Sequence, residues 1–170
     1  MAGRKRIWGK HRATVMDATD PMLQARLHVS VPEVLGEAAV WAIPCLPFAT
    51  PAGAGIIALP PPGTRVWVEF EAGDIARPVW TGCFWDAAGA LPAAATAGAT
   101  PANPNIHLQT VGGVSLTLSD NPAEQVRIVT TTGAAITIGA AGITLTNGQG
   151  AQVRMTGPSV IINGGALVVT

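Results

Sequence analysis

This sequence of 170 residues predicts an all-β protein in two unlike parts, a small closed barrel followed by a repeating β ribbon. Three observations predict it. Glycine (20) and proline (14) make up about a fifth of the chain, which cuts it into pieces too short for long helices. Apolar residues recur with period two in run after run, the mark of strands with one buried face. The aromatic residues are confined: there is no Tyr, and all three Phe and four of the five Trp lie between residues 41 and 85.

Charge divides the chain further. Only 12% of residues are charged, against about 25% in ordinary domains, and the formal net charge is zero, so a bulk-charged binder of nucleic acid or membrane surface is excluded. Arg4, Lys5, Arg6, Lys10 and Arg12 meet no acid before Asp17, whereas residues 17–86 hold eight acids against Arg26, Arg65 and Arg77. After Asp86 only Asp120, Glu124, Arg127 and Arg154 remain. No stretch approaches the roughly 18 apolar residues of a membrane span, and the basic start lacks the apolar core of a signal peptide. The expectation is a chain made in the cytoplasm without a signal peptide.

Residues 1–12 read as a basic N-terminal arm and residues 13–86 as the barrel. Ala13 to Met16 runs into a turn cluster from Asp17 to Pro21, and Ala25 to Val31 alternates polar with apolar. Trp41 to Leu46 follows, then a Gly-rich loop from Pro51 to Gly55 and the prolines 60–62. From Arg65 to Glu71, Val66, Val68 and Phe70 share one face, with Trp67, Glu69 and Glu71 on the other. Gly73-Asp74 turns the chain, and Pro78 to Phe84 reads as the closing strand. Val66, Val68, Phe70 and Val79 are the expected barrel core. Five or so short strands with nearly all the aromatics suit a compact OB-like barrel.

Residues 87–105 carry no charge and no periodic apolar face, and Pro92, Pro101 and Pro104 interrupt the helix that their alanines favour, so they read as a linker. From residue 106 to 170 come seven runs, 114–119, 125–130, 135–138, 142–146, 152–156, 159–163 and 166–170, whose apolar members alternate with Thr, Ser or Arg. Their spacing is that of a stacked β repeat.

That ribbon poses a physical problem. Its apolar side chains share one face, and no second sheet in the chain covers it. At roughly 1.5–3 kcal/mol for each fully buried Val, Leu or Ile, leaving the face wet forfeits tens of kcal/mol. An exposed face of that size with open strand edges is an aggregation hazard. Winding three copies about one axis removes both faults: the apolar faces make a shared core, and strand edges pair with neighbouring chains. The expected trimer core is Val114, Leu116, Leu118, Val126, Ile128, Ile136, Ile138, Ile143, Leu145, Val153, Met155, Val160, Ile162 and Leu167. A single-chain β-solenoid is the alternative, disfavoured because the repeats are too short to turn three corners each.

Residues 11–86 resemble the OB-fold region of phage baseplate assembly protein V and of the central spike proteins of contractile injection systems, including the VgrG spikes. The resemblance rests on His11 to Val15 leading to Asp17 and Asp20-Pro21, on Arg26 to Pro32, on Trp41 to Cys45, and above all on the run from Pro60 to Cys83. It implies an OB-fold barrel followed by an intertwined triple-stranded β-helix, a homotrimeric β-prism. It implies a structural, non-enzymatic spike in the baseplate of a phage-tail-like particle, capping the inner tube and driven through a target envelope when the sheath contracts. The implied partners are two sister chains, an inner tube or hub protein on the N-terminal side, other baseplate proteins, and a PAAR-type tip protein at the C-terminal end. Where some phage relatives insert a lysozyme domain, this chain has only the linker, so no peptidoglycan hydrolase is expected. The final run, Leu167 to Thr170, is a strand, so the rod is expected to end bluntly beneath a separate cap. The arm residues Arg4, Lys5, Arg6, Trp8 and Lys10 are candidates for contact with the tube or hub.

Chemistry has little to stand on. His11, His28 and His107 lack a Ser, Cys or carboxylate partner in a recognised arrangement, and no metal-ligand spacing is present. The pair Glu69 and Glu71 reads as solvated carboxylates on one strand face, and Gly53 and Gly55 as a loop that must bend, with no phosphate-binding continuation. Cys45 and Cys83 read as buried small hydrophobes. No catalytic residue, cofactor, metal or small-molecule substrate is expected. The rival function is single-stranded nucleic-acid binding, with Trp67 and Trp80 as stacking platforms. The acid excess of the barrel repels phosphates, so no nucleic acid is expected.

Overall fold

The computed structural model describes residues 6–169. It falls into two units divided between Ala90 and Leu91, each with its own sheet. The first is a closed five-stranded barrel built from β1 (His11–Asp17), β2 (Leu27–Ser30), β3 (Ala39–Pro44), β4 (Arg65–Phe70) and β5 (Pro78–Cys83), in the order β1-β2-β3-β5-β4. All neighbours are antiparallel except β3 and β5, which run parallel. One helical turn, α1 (Pro32–Leu35), joins β2 to β3.

The barrel fills itself by alternation. Val66, Val68 and Phe70 point inward from β4 and meet Ala13 and Val15 of β1, Leu27 and Val29 of β2, and Ala42 of β3 in one buried cluster. On β5, Val79 was expected inside, but Trp80 is there instead, only 5% exposed, with Pro78 beside it and Val79 half-buried. A register shift between Trp67 and Val68 sets the phase of β5 against β4. The larger side chain gains more by burial, and the indole N–H is satisfied by donating to the Ala25 carbonyl at 3.1 Å. β1 also begins at His11, two residues inside the segment assigned to the arm.

The second unit is a single eight-stranded antiparallel sheet in sequence order: β6 (Ile106–Gln109), β7 (Ser115–Leu118), β8 (Val126–Val129), β9 (Ala135–Gly139), β10 (Gly142–Thr146), β11 (Gln152–Thr156), β12 (Ser159–Ile162) and β13 (Leu167–Val169). The seven expected runs are β7 to β13, and β6 is an eighth. The ladders close strand to strand within the chain, leaving the outer edges of β6 and β13 as the ends of the sheet. Chemistry of the joints explains the meander. At 130–134 the Thr130 N–H donates to the Ala134 carbonyl at 2.9 Å, and Gly133 takes the positive φ of 85° that closes the turn. Gly142, opening β10, admits the neighbouring strand: a Cβ there would run into the Met155 carbonyl oxygen.

The segment read as a linker is partly ordered. Between Pro92 and Pro101 the alanines form one helical turn, α2 (Ala93–Thr96), which packs on β6, and the Asn105 side-chain amide donates to the Ala97 carbonyl at 2.9 Å.

Candidate functional site

The sheet aligns its apolar residues in two unbroken rows. In register across the strands, Ile106, Leu118, Val126, Ile138, Ile143, Met155 and Val160 stand opposite one another in succession. A second row runs Leu108, Leu116, Ile128, Ile136, Leu145, Val153, Ile162 and Leu167. Directly paired residues share a face, so both rows, with Val114 next in phase beyond Leu116, lie on one side of the sheet. The other side carries His107, Thr117, Arg127, Thr137, Thr144 and Arg154 in register. There His107 Nδ1 lies 2.8 Å from the Thr117 hydroxyl, and Arg127 donates to Glu124 at 2.8 Å.

Among the described residues of this unit, nothing covers the apolar rows. Ile136 and Ile138, at the middle of the sheet, remain 37% and 36% exposed, and Ile106 at its edge 63%. Every residue expected in the trimer core thus falls on one continuous face. Ile106 and Leu108 extend both rows and were not among them. Their signal was legible, since Ile106-His107-Leu108-Gln109 alternates directly after the turn residues Asn103-Pro104-Asn105.

The barrel holds no comparable surface of reacting groups. Its most constrained polar residue is Asp20, buried in the β1–β2 loop. Its carboxylate accepts from the Arg26 guanidinium at 2.6 and 3.0 Å and from the backbone N–H groups of Met22, Gln24 and Arg26 at 2.8 to 3.2 Å. The Arg26 guanidinium, aided by those N–H groups, holds the carboxyl far below the usual range. This builds a loop; it leaves no group free for chemistry.

The remaining candidates sort as follows. Trp80 is inside the barrel, so it cannot stack on a base. Trp67 lies against Phe84, ring centroids 4.5 Å apart, with the Arg12 guanidinium over both. His11 lies against Phe70, its Nδ1 3.5 Å from the Glu33 carboxylate, and His28 lies against Trp41. Glu69 pairs with Lys10 at 2.9 Å, while Glu71, in a short 3-10 turn rather than on the strand, pairs with Arg77 at 3.3 Å. Cys45 and Cys83 are free and exposed, not buried as expected, because each sits where its strand leaves the barrel. Of the arm, Arg4 and Lys5 lie outside the described residues. Arg6 donates to the Ala72 carbonyl, the Ile7 N–H donates to Gly73 at 3.0 Å, and Trp8, 65% exposed, lies beside that turn. Residues 6–10 therefore line the barrel rather than stand clear of it.

A closed barrel ordered β1-β2-β3-β5-β4, joined to a sheet that leaves its apolar face bare, is matched by two family models in the same order. One, the type VI secretion system/phage-baseplate injector OB domain, matches residues 11–85; the other, the phage baseplate V C-terminal trimerisation domain, matches residues 105–168. The chain carries an injector OB domain and a baseplate V trimerisation domain, in that order. A baseplate V protein of this kind is a structural component of a phage-tail-like particle, and its trimerisation domain coincides with the sheet whose face is uncovered. No individual curated protein matches the chain. Among the described residues no helix is long and apolar enough to cross a membrane.

Proposed function

We propose that the chain is the non-enzymatic central spike of a contractile injection particle: three copies wind their sheets about a common axis into a rod that is driven through a target envelope when the sheath contracts. The barrels face the inner tube or hub, and a separate PAAR-type tip closes the C-terminal end. One observation carries this reading, the pair of apolar rows, one across seven strands and one across eight, on an uncovered face. Burying about fifteen such side chains at roughly 1.5–3 kcal/mol each makes association and folding of the sheet one event. A prism suits a mechanical load because its ladder bonds act together and few edges are free to peel.

The test is the mass of the full chain in dilute buffer by native mass spectrometry. Three chain masses, stable on dilution, are expected; a folded monomer overturns the reading. Salt-sensitive binding of such a monomer to a single-stranded oligonucleotide would instead favour the nucleic-acid reading, for which the Arg12, Trp67 and Phe84 cluster is the remaining support.

A further inference from the structure

The barrel has two ends of opposite character. Strand directions fix which loops share an end: β1, β3 and β5 finish where β2 and β4 begin. The β1–β2 loop, the long β3–β4 connection and the exit of the chain after β5 therefore lie together. The opposite end holds residues 6–10, α1 and the turn from Glu71 to Arg77, with Lys10, Glu33, Glu37, Glu71, Asp74 and Arg77 among them.

The exit end is apolar. Residues 38–64 contain no charged side chain at all. Yet this connection is not loose: Ala49 and Gly55 form a bridge, the Thr50 N–H donates to the Ala54 carbonyl at 2.8 Å, and the Ile56 N–H to Phe48 at 3.0 Å. The resulting hairpin shows Phe48, Ile56, Ile57 and Leu59 to solvent. Beside it, the Asp20 carboxylate pins a loop in which Leu23 and Ala25 take positive φ angles of 52° and 61°, and Leu23 ends 93% exposed with Met22 next to it. A non-glycine backbone persists there only where its surroundings over-determine it, so the loop holds these side chains outward. The charges at this end are largely matched, Asp20 with Arg26 and Arg65 with Asp86 at 3.1 Å.

We propose that this end of the barrel is a second contact among copies of the same chain, in which the three hairpins of residues 46–59 pack against one another. The inference rests on the trimeric reading above. The chain leaves for its trimerisation domain from this end, and only the twenty residues from Asp86 to Asn105 separate the last barrel residues from β6. Tethering through so short a segment holds the three exit ends at an effective concentration of about millimolar or higher, where weak apolar contacts form. A hairpin without charged side chains lets three identical copies meet there without repulsion.

Disulfide trapping in the full chain tests it. With Cys45→Ser and Cys83→Ser in place, Ala52→Cys at the hairpin tip should oxidise to a covalent dimer roughly tenfold or more faster than Ala76→Cys at the charged end, at a rate independent of protein concentration. Adding Ile56→Asp and Ile57→Asp should abolish that advantage while native mass spectrometry still records three chains. A trimer in which Ala52→Cys links no faster than Ala76→Cys overturns the proposal and leaves the trimer standing. A monomer overturns both.

Discussion

In the barrel, alternation from five strands converges on one interior: the ten hydrophobic residues buried to that degree among the described ones, from Ala13 to Trp80, all belong to it. In the sheet the same alternation, over eight strands, leaves Ile136 and Ile138 more than a third exposed in the middle of the layer. The difference lies in closure. A barrel brings its first and last strands together, as β1 does with β4, so its inner face is covered by itself. An open meander has only one layer and needs another molecule to supply the second. The two regions should therefore respond differently to the same kind of damage.

The largest effect is expected where the missing layer has to come from outside. Ile136→Asp or Ile138→Asp places three carboxylates on one apolar axis, each costing several kcal/mol to desolvate. Native mass spectrometry should then record monomer or aggregate, while the barrel keeps the near-ultraviolet dichroism of its buried Trp80. A trimer that survives either change would break the contrast between the two regions.

The converse experiment damages the self-sufficient half. Leu27 is fully buried, and Leu27→Ala should cost the barrel about 2–5 kcal/mol through lost burial and the cavity left behind. The chain should remain trimeric, with a separate, earlier melting step in calorimetry. Dissociation at the same temperature would mean that barrel and sheet fold as one unit.

These contrasts were legible to different depths in the sequence. The sheet was the more readable region because its strands keep strict period two and its joints carry Gly, Asn or Pro. Every apolar position assigned to the face lies on it, and only β6 escaped, hidden behind the uncharged 87–105 stretch. In the barrel, the inward phase of β4 was readable from Val66, Val68 and Phe70. That of β5 was not, because Val79 and Trp80 are both apolar and a register shift that skips Thr81 of β5 decides between them. The exposed thiols of Cys45 and Cys83 were misread for a related reason, since composition cannot tell where a strand leaves the barrel wall. The hairpin at residues 46–59 and the loop pinned by Asp20 depend on backbone hydrogen bonds that no periodicity encodes.

A smaller effect separates the regions by pH. The Asp20 carboxyl is held below its ordinary value of 3.8 by Arg26 and three backbone N–H groups. In acid the unfolded barrel therefore binds this proton first, so the stabilisation is complete above about pH 4 and is lost progressively as pH falls further. The sheet's apolar rows have no such dependence. Asp20→Asn should lower the barrel's melting temperature at pH 7 and flatten its decline between about pH 4 and 2, leaving dissociation of the trimer unchanged. Parallel pH profiles for the variant and the parent would remove Asp20 from this account.

The smallest structural effect, and the sharpest functional one, is expected at the charged end of the barrel. Lys10 bridges Glu69 at 2.9 Å and Thr81 at 3.0 Å, but both charged partners are about half exposed, and such pairs contribute about 0–1 kcal/mol. Trp8 has most of its surface in solvent. Lys10→Ala with Trp8→Ala should therefore leave the melting temperature and the trimer nearly unchanged. If residues 6–10 contact the tube or hub, the same double change should deplete the chain from assembled particles, measured against sheath protein in purified fractions. Undiminished incorporation would assign these residues to lining the barrel wall alone, as their bonds to Ala72, Gly73 and Glu69 already describe, and would leave the tube to be held by another surface.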